Sequence, residues 1–465
     1  MSKAEQFFAR IQTKRVDFLG IGVSHIETIK LFARQGVAVG ARDRRDASAL
    51  GTVAEELAEL GVSLQLGSDY LNGLEADVLF RTPGMDFNTP ELVEYRKKGG
   101  VVTSEMEVFF DLCPCPIIAV TGSDGKTTTT TLIAEMLKAE GETVHLGGNI
   151  GRALLPEIFS ITPQDFAVVE LSSFQLISMR RSPHIAVVTN ITPNHLDVHG
   201  TMDEYIAAKE HILLHQNAFS RAVLGADNAV SAALKKHVRG QAMAFSLREE
   251  QQNGAWLGKD NQIYFARNGL RRTLFPAADI LLPGAHNVAN YLAAICATDQ
   301  LVSDETVHAV AKKFGGVEHR IEFVREKDGV KWYNDSIATS PTRTIAGLRS
   351  FDRKMIVIAG GYDKKIPFEP LAPEIIEHVR LLILTGATAA KMELAVRGHS
   401  SFVAGQPEIV RADSLAHAVQ LANKMAQPGD IVSLSPACAS FDAYPNFEAR
   451  GRHFKELVNA LQQEG

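Results

Sequence analysis

Ile117-Ile118-Ala119-Val120-Thr121-Gly122-Ser123-Asp124-Gly125-Lys126-Thr127 is the stretch that decides how this chain is read. Its four leading apolar residues predict a strand buried on both faces, as in a parallel sheet. Glycines at 122 and 125 let the backbone N–H groups of the turn point inward. A helix opening near Thr127 adds positive potential at its N-terminus. A strand, a glycine turn and a helix in this order form a cradle for phosphate. Lys126 can reach β- and γ-phosphates, and the Thr127 hydroxyl can hold Mg²⁺. The candidate phosphate-binding residues here are Gly122, Ser123, Asp124, Gly125, Lys126, Thr127 and Thr128. Val120 stands where the common pattern has a glycine six residues before the lysine, so the loop is a variant form. Glu170 closes the apolar run Phe166-Ala167-Val168-Val169, where a carboxylate can face the loop and share its metal ion.

Upstream, Val16-Asp17-Phe18-Leu19 reads as a strand, Gly20-Ile21-Gly22 as a turn, and about Ser24 to Gln35 as a helix. A second strand, Val37 to Ala41, ends at Asp43, and others fall near Val78-Leu79-Phe80 and Val101-Val102-Thr103. This is a doubly wound α/β unit. Gly20-x-Gly22-x-x-His25 lacks the third glycine of a dinucleotide fingerprint, though Asp43 lies about where a ribose-binding acid would sit. Downstream of the loop, strands are expected at Phe166 to Val169, Ile185 to Val188 and Ala222 to Leu224. A last set falls near Val330 to Tyr333, Met355 to Ala359, Leu381 to Leu384 and Ile431 to Leu434. The expected fold class is α/β in three domains. Residues 1–110 form a Rossmann-like unit, 111–316 a central phosphate-loop domain with a mostly parallel sheet, and 317–465 a second Rossmann-like unit.

At 465 residues the chain has room for two to four cores without staples. A net charge of −6 argues against nucleic acid as a partner. No apolar stretch is long enough for a membrane span, and Met1 to Val16 lacks the apolar run of a secretory leader. The expectation is a cytoplasmic monomer. Its four cysteines read as free thiols; Cys113-Pro-Cys115 is too tight for the usual zinc spacing.

Thr201-Met202-Asp203-Glu204 is a capping-box signature that starts a helix near residue 202. Tyr205, Ile206, Lys209, Ile212 and Leu213 then share one face, opposite Glu204, His211 and His215. Lys209 thus sits in an apolar stripe. The ordinary reading is a snorkelling lysine. A buried amine, however, has a depressed pKa, and an uncharged amine can add CO₂ to become a carbamate, an anionic metal ligand.

Several ordered motifs carry a family resemblance. Thr121 to Thr127, Gly147-Gly148-Asn149-Ile150-Gly151, Glu170-Leu171-Ser172-Ser173-Phe174-Gln175-Leu176 and His195-Leu196-Asp197 resemble the central domain of Mur ligases. Tyr205-x-x-Ala208-Lys209 matches the context of that family's carbamylated lysine. In the third block, His319-Arg320, Asn334 to Thr339, Gly360 to Lys364, Ser435 to Ser440 and Phe447-Glu448-x-Arg450-Gly451 resemble the branch that adds D-glutamate.

The resemblance implies an ATP-dependent ligase joining D-glutamate to UDP-N-acetylmuramoyl-L-alanine through an acyl phosphate, with two Mg²⁺ ions. It implies metal ligation by Thr127, Glu170, His195 and carbamylated Lys209, with Lys126, Asn149, His195 and Lys209 at the reaction centre. Gly22, Val23, Ser24, Asp43, Arg44 and Arg45 would hold the UDP substrate. Arg320, Asp335, Asn287 and Asn290 would contact ATP, and Thr339, Lys364, Ser440 and Phe447 would form the D-glutamate pocket. The sequence departs from the family pattern at Ile337, where lysine is common, at Asn194, where an acid is common, and at Gly225-Ala226-Asp227-Asn228. Other readings are a relative in the family using a different amino acid, a folylpolyglutamate-type ligase, a nicotinamide oxidoreductase, or a nucleotide-switched interaction protein. The phosphate loop counts against the oxidoreductase. Absence of a guanine-reading Asn-Lys-x-Asp counts against the switch.

Overall fold

The computed structural model describes residues 1–462, and among them the strands form three sheets. The first is all parallel, in the order Ser63–Leu66, Ala38–Asp43, Arg15–Leu19, Val78–Arg81, Val101–Thr103. Its central strands are nearly all apolar and buried, as a sheet covered on both faces requires. Asp17 and Arg42 break that rule as a buried pair, Arg42 Nε donating to Asp17 Oδ2 at 2.7 Å. The remaining guanidinium donors reach the carbonyls of Tyr70, Asn72 and Gly73, so the loop before the fourth strand is tied to the sheet.

The second sheet has Ile117–Thr121 third from one edge, between Ile185–Val188 and Phe166–Glu170, all parallel. Val144–Gly148 lies outside Phe166–Glu170. On the other side follow Arg221–Gly225, Gln241–Ser246 and Gly254–Leu257, still parallel. The sheet then turns antiparallel through Gln262–Arg267 and Leu270–Pro276. These last strands were not anticipated, yet Asn268 and Gly269 at their turn both have positive φ, as a tight Asn-Gly hairpin requires.

The first two sheets belong to one compact unit, Met1–Asp279 with Val288–Lys312. One apolar core runs through both, from Phe8, Phe18 and Phe32 to Leu154, Leu171 and Ile212. Helix Glu105–Leu112 joins them. Buried Glu105 accepts hydrogen bonds from the N–H groups of Leu154 and Leu155.

The second unit, Ile280–Asn287 with Lys313 onward, carries the third sheet. Its order is Glu322–Lys327, Val330–Asn334, Ile431–Leu434, Met355–Ala359, Val379–Leu384, Glu408–Arg411. All neighbours are parallel except the first pair. The expected multi-domain α/β fold is observed. No helix among the described residues is long and apolar enough to cross a membrane.

Candidate active site

Helix Lys126–Glu140 follows strand Ile117–Thr121 through the predicted glycine turn. Gly122 and Gly125 have φ of +148° and +78°, and a Cβ on them would collide with Thr189 and Asn290 respectively. The loop therefore needs glycine for both conformation and space. Its far side is anchored to the neighbouring strand end: Ser123 N–H donates to Asn190 O at 2.8 Å and Asp124 N–H to Asn190 Oδ1 at 3.0 Å. Lys126 Nζ donates to the carbonyls of Gly122 and Ser123, each at 3.0 Å, so the ammonium lies within the curl of the loop. Thr128 sits in the helix's first turn.

Glu170, 2% exposed, ends its strand beside this loop. Thr127 Oγ1 donates to Glu170 Oε2 at 2.7 Å, and Asn149 Nδ2 donates to Oε1 at 2.8 Å. Three of the expected site residues thus meet at one carboxylate.

The capping box at Thr201 is present, and helix Met202–Leu214 packs behind the loop. Lys209 is 1% exposed. Its Nζ donates to Gly122 O at 2.9 Å and Thr121 Oγ1 at 3.3 Å, so it does not snorkel to water. Burial, reinforced by the nearby Lys126 charge, pulls its pKa down to about 7. The helix face differs in one detail from the expected stripe: Ala208 is buried and Ile206 only half-buried. Tyr205, also on the buried face, places its hydroxyl 3.1 Å from Ser123 Oγ.

His195 adopts a left-handed conformation (φ 55°) and its exposed ring packs against Phe174 at 5.2 Å. Nearby His199 is buried, stacks on Phe174 at 5.1 Å and bonds Ser173 Oγ at 2.9 Å. Nothing in the local pattern singles out His199; a short helix brings it inward. Among the described residues no three His, Cys, Asp or Glu side chains converge on one point. The side chain of Asp197 lies outside the described residues' atoms.

In the first sheet, Gly22 and Ser24 stand at the start of helix Val23–Arg34, and the side chain of Val23 lies outside the described part of the structure. Asp43 Oδ2 accepts from Ile21 N–H at 2.7 Å, and Oδ1 accepts from the N–H and Nε of Arg45 at 2.9 Å. Burial alone would raise the Asp43 carboxyl; the Arg45 guanidinium and these N–H groups outweigh it and hold the pKa at about 2. Arg44 is exposed. Sequence reasoning missed Arg81. It is 1% exposed and donates to the carbonyls of Thr82, Pro83 and Met85 in its own loop and to Phe174 O at 2.8 Å. A cleft of about 400 Å³ opens there, lined by Arg81, Phe87, Phe174, His199 and His211 among others.

In the second unit, Lys364 Nζ bonds Thr339 O at 3.2 Å and Thr339 Oγ1 at 3.4 Å, uniting two residues of the expected amino-acid pocket. Phe447 O accepts from Ser336 Oγ at 2.8 Å. Buried Arg450 donates to Ser336 O, Cys438 O and Ala439 O, holding the segment before Ser440 to the loop before Thr339. Asp335 is buried, accepting from Ser435 Oγ at 2.8 Å and Ile321 N–H at 3.3 Å, and burial raises its pKa to about 7. Arg320 follows left-handed His319. Asn287 Nδ2 donates to Pro283 O at 2.7 Å, whereas Asn290, in the first unit, accepts from Thr129 Oγ1 at 3.3 Å. Ile337 is half-buried and donates its N–H to His319 O. Asn228, one of the departures, caps a short helix through Ser231 N–H.

Residues 120–298 match the Mur ligase middle domain, and residues 319–438 match the Mur ligase, glutamate ligase domain. Over 464 residues the chain is 48% identical to a protein of Acetivibrio thermocellus named UDP-N-acetylmuramoylalanine–D-glutamate ligase, with 99% of each chain covered. A Clostridium botulinum protein of the same name is 46% identical over 461 residues, covering 99% of this chain and all of that one (100%). Among solved structures, the UDP-N-acetylmuramate–alanine ligase of Thermotoga maritima matches with a TM-score of 0.57 at 19% identity. That match covers 96% of this chain and 99% of the other, and shows a shared fold. By its full-length relatives and both domain matches, the chain belongs to the Mur ligase family.

Proposed function

We propose that this chain joins D-glutamate to UDP-N-acetylmuramoyl-L-alanine at the expense of ATP, as a cytoplasmic monomer in peptidoglycan precursor synthesis. The observation that carries the reading is full-length identity of 46–48% to relatives named for that reaction. Three blocks, 1–110, 111–316 and 317–465, divide the labour. The first grips the UDP-linked substrate through Gly22, Val23, Ser24, Asp43, Arg44 and Arg45. The second holds the ATP phosphates on residues 122–128, with Asn287, Asn290, Arg320 and Asp335 completing the nucleotide site. Thr339, Lys364, Ser440 and Phe447 of the third hold D-glutamate, whose two carboxylates call for a cation and hydroxyl donors.

The substrate carboxylate attacks the γ-phosphorus of ATP, giving an acyl phosphate and ADP. The amine of D-glutamate attacks the acyl carbon, the C–O bond to phosphate breaks, and the amine's proton passes to solvent. Lys126 and Arg320 offset negative charge on the transferring phosphoryl group.

The residues around Glu170 fit Mg²⁺: a buried carboxylate and the Thr127 hydroxyl are hard oxygen donors beside a phosphate loop. Thr127, Glu170, His195 and Lys209 as a carbamate would hold two Mg²⁺ ions, which when bound draw charge from the phosphates. Support for the carbamate is the fully buried amine with a pKa near neutrality, since the uncharged form is the one that adds CO₂. Asn149, bonded to Glu170, orients that carboxylate.

Phosphate release tests the assignment. With ATP, Mg²⁺ and UDP-N-acetylmuramoyl-L-alanine present, D-glutamate should stimulate release far more than L-glutamate, L-lysine or diaminopimelate. Equal or greater turnover with any of those three would overturn the substrate choice.

A further inference from the structure

Two sulfurs outside the active site stand apart from the other thiols. Cys113 Sγ and Cys115 Sγ lie 3.4 Å apart, within hydrogen-bond range, at 7% and 2% exposure. Cys296 and Cys438 instead have non-cysteine partners, Ala244 O and Thr388 Oγ1. Their thiols are pushed up by burial to about 12 and 11, which keeps them protonated and inert.

Local geometry explains the pairing. Cys113 ends helix Glu105–Leu112, with its N–H still bonded to Phe109 O, and then turns into extended backbone (φ −57°, ψ 123°). Pro114 fixes the next φ and removes an N–H donor, so the two-residue step is held without a ladder hydrogen bond. Pro116 O accepts from Ala167 N–H at 3.0 Å, which fixes the far side at the start of the second sheet. Both side chains turn inward onto the apolar core, while Pro114 between them is exposed. Of the two, Cys113 is the more accessible, at 7% against 2%. As a thiol, Cys113 Sγ donates to Cys115 O at 3.7 Å; as a thiolate it accepts from the Cys115 thiol, which lowers the Cys113 pKa against the opposing effect of burial, with the Lys3 charge adding to the lowering, while the partner is raised.

We propose that Cys113 and Cys115 form an oxidisable dithiol site which hydrogen peroxide closes to an intrachain disulfide, at the point where the chain passes from the first sheet to the second. The Cys113 thiolate attacks one peroxide oxygen, the O–O bond breaks, and hydroxide leaves a sulfenic acid on Cys113. Cys115 sulfur then attacks Cys113 sulfur, the S–O bond breaks and water departs. Two thiols and one peroxide give one disulfide and two waters, with two electrons passing from sulfur to oxygen. The closed bond would tie the end of helix Glu105–Leu112 to the lead-in of strand Ile117–Thr121, which carries the phosphate loop.

The test uses the reduced full-length protein, treated with one equivalent of hydrogen peroxide, then denatured and labelled with N-ethylmaleimide. Four labels per chain are expected before oxidation, matching the four cysteines. Two are expected after it, with the peptide spanning Cys113 and Cys115 lighter by two hydrogens, and dithiothreitol should restore all four. Cys113→Ser should keep all three of its remaining thiols at the same dose, whereas Cys115→Ser should stop at a sulfenic acid on Cys113 and keep two. Retention of four labels in the parent, oxygen added at Cys113 without loss of the Cys115 label, or equal thiol loss in both variants would overturn the proposal. The parent measurement decides the matter by itself should either variant fold poorly.

Discussion

Two strand–glycine–helix turns, one at Gly20–Gly22 and one at Gly122–Gly125, grow from the same local pattern and finish with opposite electrostatics. At the first, the neighbouring strand ends in Asp43, whose carboxylate takes the Ile21 N–H and is itself clasped by Arg45. At the second, Lys126 curls into the loop and Lys209 approaches from behind, both donating to Gly122 O. Glycine supplies the turn in each case. The residue that the next strand or helix delivers decides whether the turn offers an acid, suited to sugar hydroxyls, or cations, suited to phosphate. A glycine pattern alone therefore specifies a shape and not a ligand.

Removing the cation at the second turn should have the largest consequence. Lys126→Ala is expected to lower phosphate release by about 10²–10³-fold, the scale of losing one charged donor to a transition state. Its thermal midpoint should stay near the parent's, because Lys126 serves the loop rather than the core. Near-normal turnover in the folded variant would break the contrast between the turns.

Lys209 sharpens the same contrast, since the two lysines share a carbonyl but play different parts in the proposal. Lys209→Ala should lose at least about tenfold in turnover, on the lower side of such electrostatic effects. Acetate or high bicarbonate should restore part of it by filling an anion site, whereas Lys209→Arg should not recover. If arginine retains activity and acetate does nothing, Lys209 is an ordinary cation.

At the acid-bearing turn, Asp43→Asn should raise KM for the UDP-linked substrate about tenfold and leave kcat unchanged, the signature of lost uniform binding. A fall in kcat with KM fixed would move Asp43 out of substrate binding.

The smallest expected effect concerns two carboxylates of the first unit shifted in opposite senses. Asp43 is held at about 2, below its ordinary 3.8, so its contribution to stability is present above pH 4 and fades as pH falls toward 2. Glu105 is raised from 4.5 to about 7, chiefly by burial and against the N–H groups of Leu155 and Leu154. Its favourable contribution is complete below pH 4.5 and is lost as pH rises through 7. Glu105→Gln keeps an acceptor for those N–H groups without a charge. Urea unfolding at pH 5 and pH 8 should show the pH difference in stability shrinking by on the order of 1–3 kcal/mol. An unchanged difference would mean Glu105 is not the titrating group.

How much of this could be read from sequence varies with the range of the interaction. Buried strands of four or five apolar residues, the phosphate loop and the Thr201 capping box depend on neighbours in the chain, and all lie within a residue or two of expectation. The hairpin at Gln262–Arg267 and Leu270–Pro276 was not anticipated: Asn268-Gly269 marks its turn, but the polar, exposed outer strand masked the pattern. Arg81, Glu105 and His199 could not be found this way. Each is a polar residue whose burial depends on partners far along the chain: Phe174 O, Leu154 N–H and Ser173 Oγ. Arg450 was visible as part of a motif, but its work, tying together carbonyls at 336, 438 and 439, is a property of the folded sheet.

In the proposed reaction the cation-lined turn activates the substrate carboxylate by phosphorylating it. Tracing oxygen tests this most directly. UDP-N-acetylmuramoyl-L-alanine labelled with ¹⁸O in its terminal carboxylate, turned over with ATP and D-glutamate, should yield inorganic phosphate carrying one labelled oxygen. Unlabelled phosphate, released at the same rate as amide product, would contradict the acyl phosphate and the account built on it.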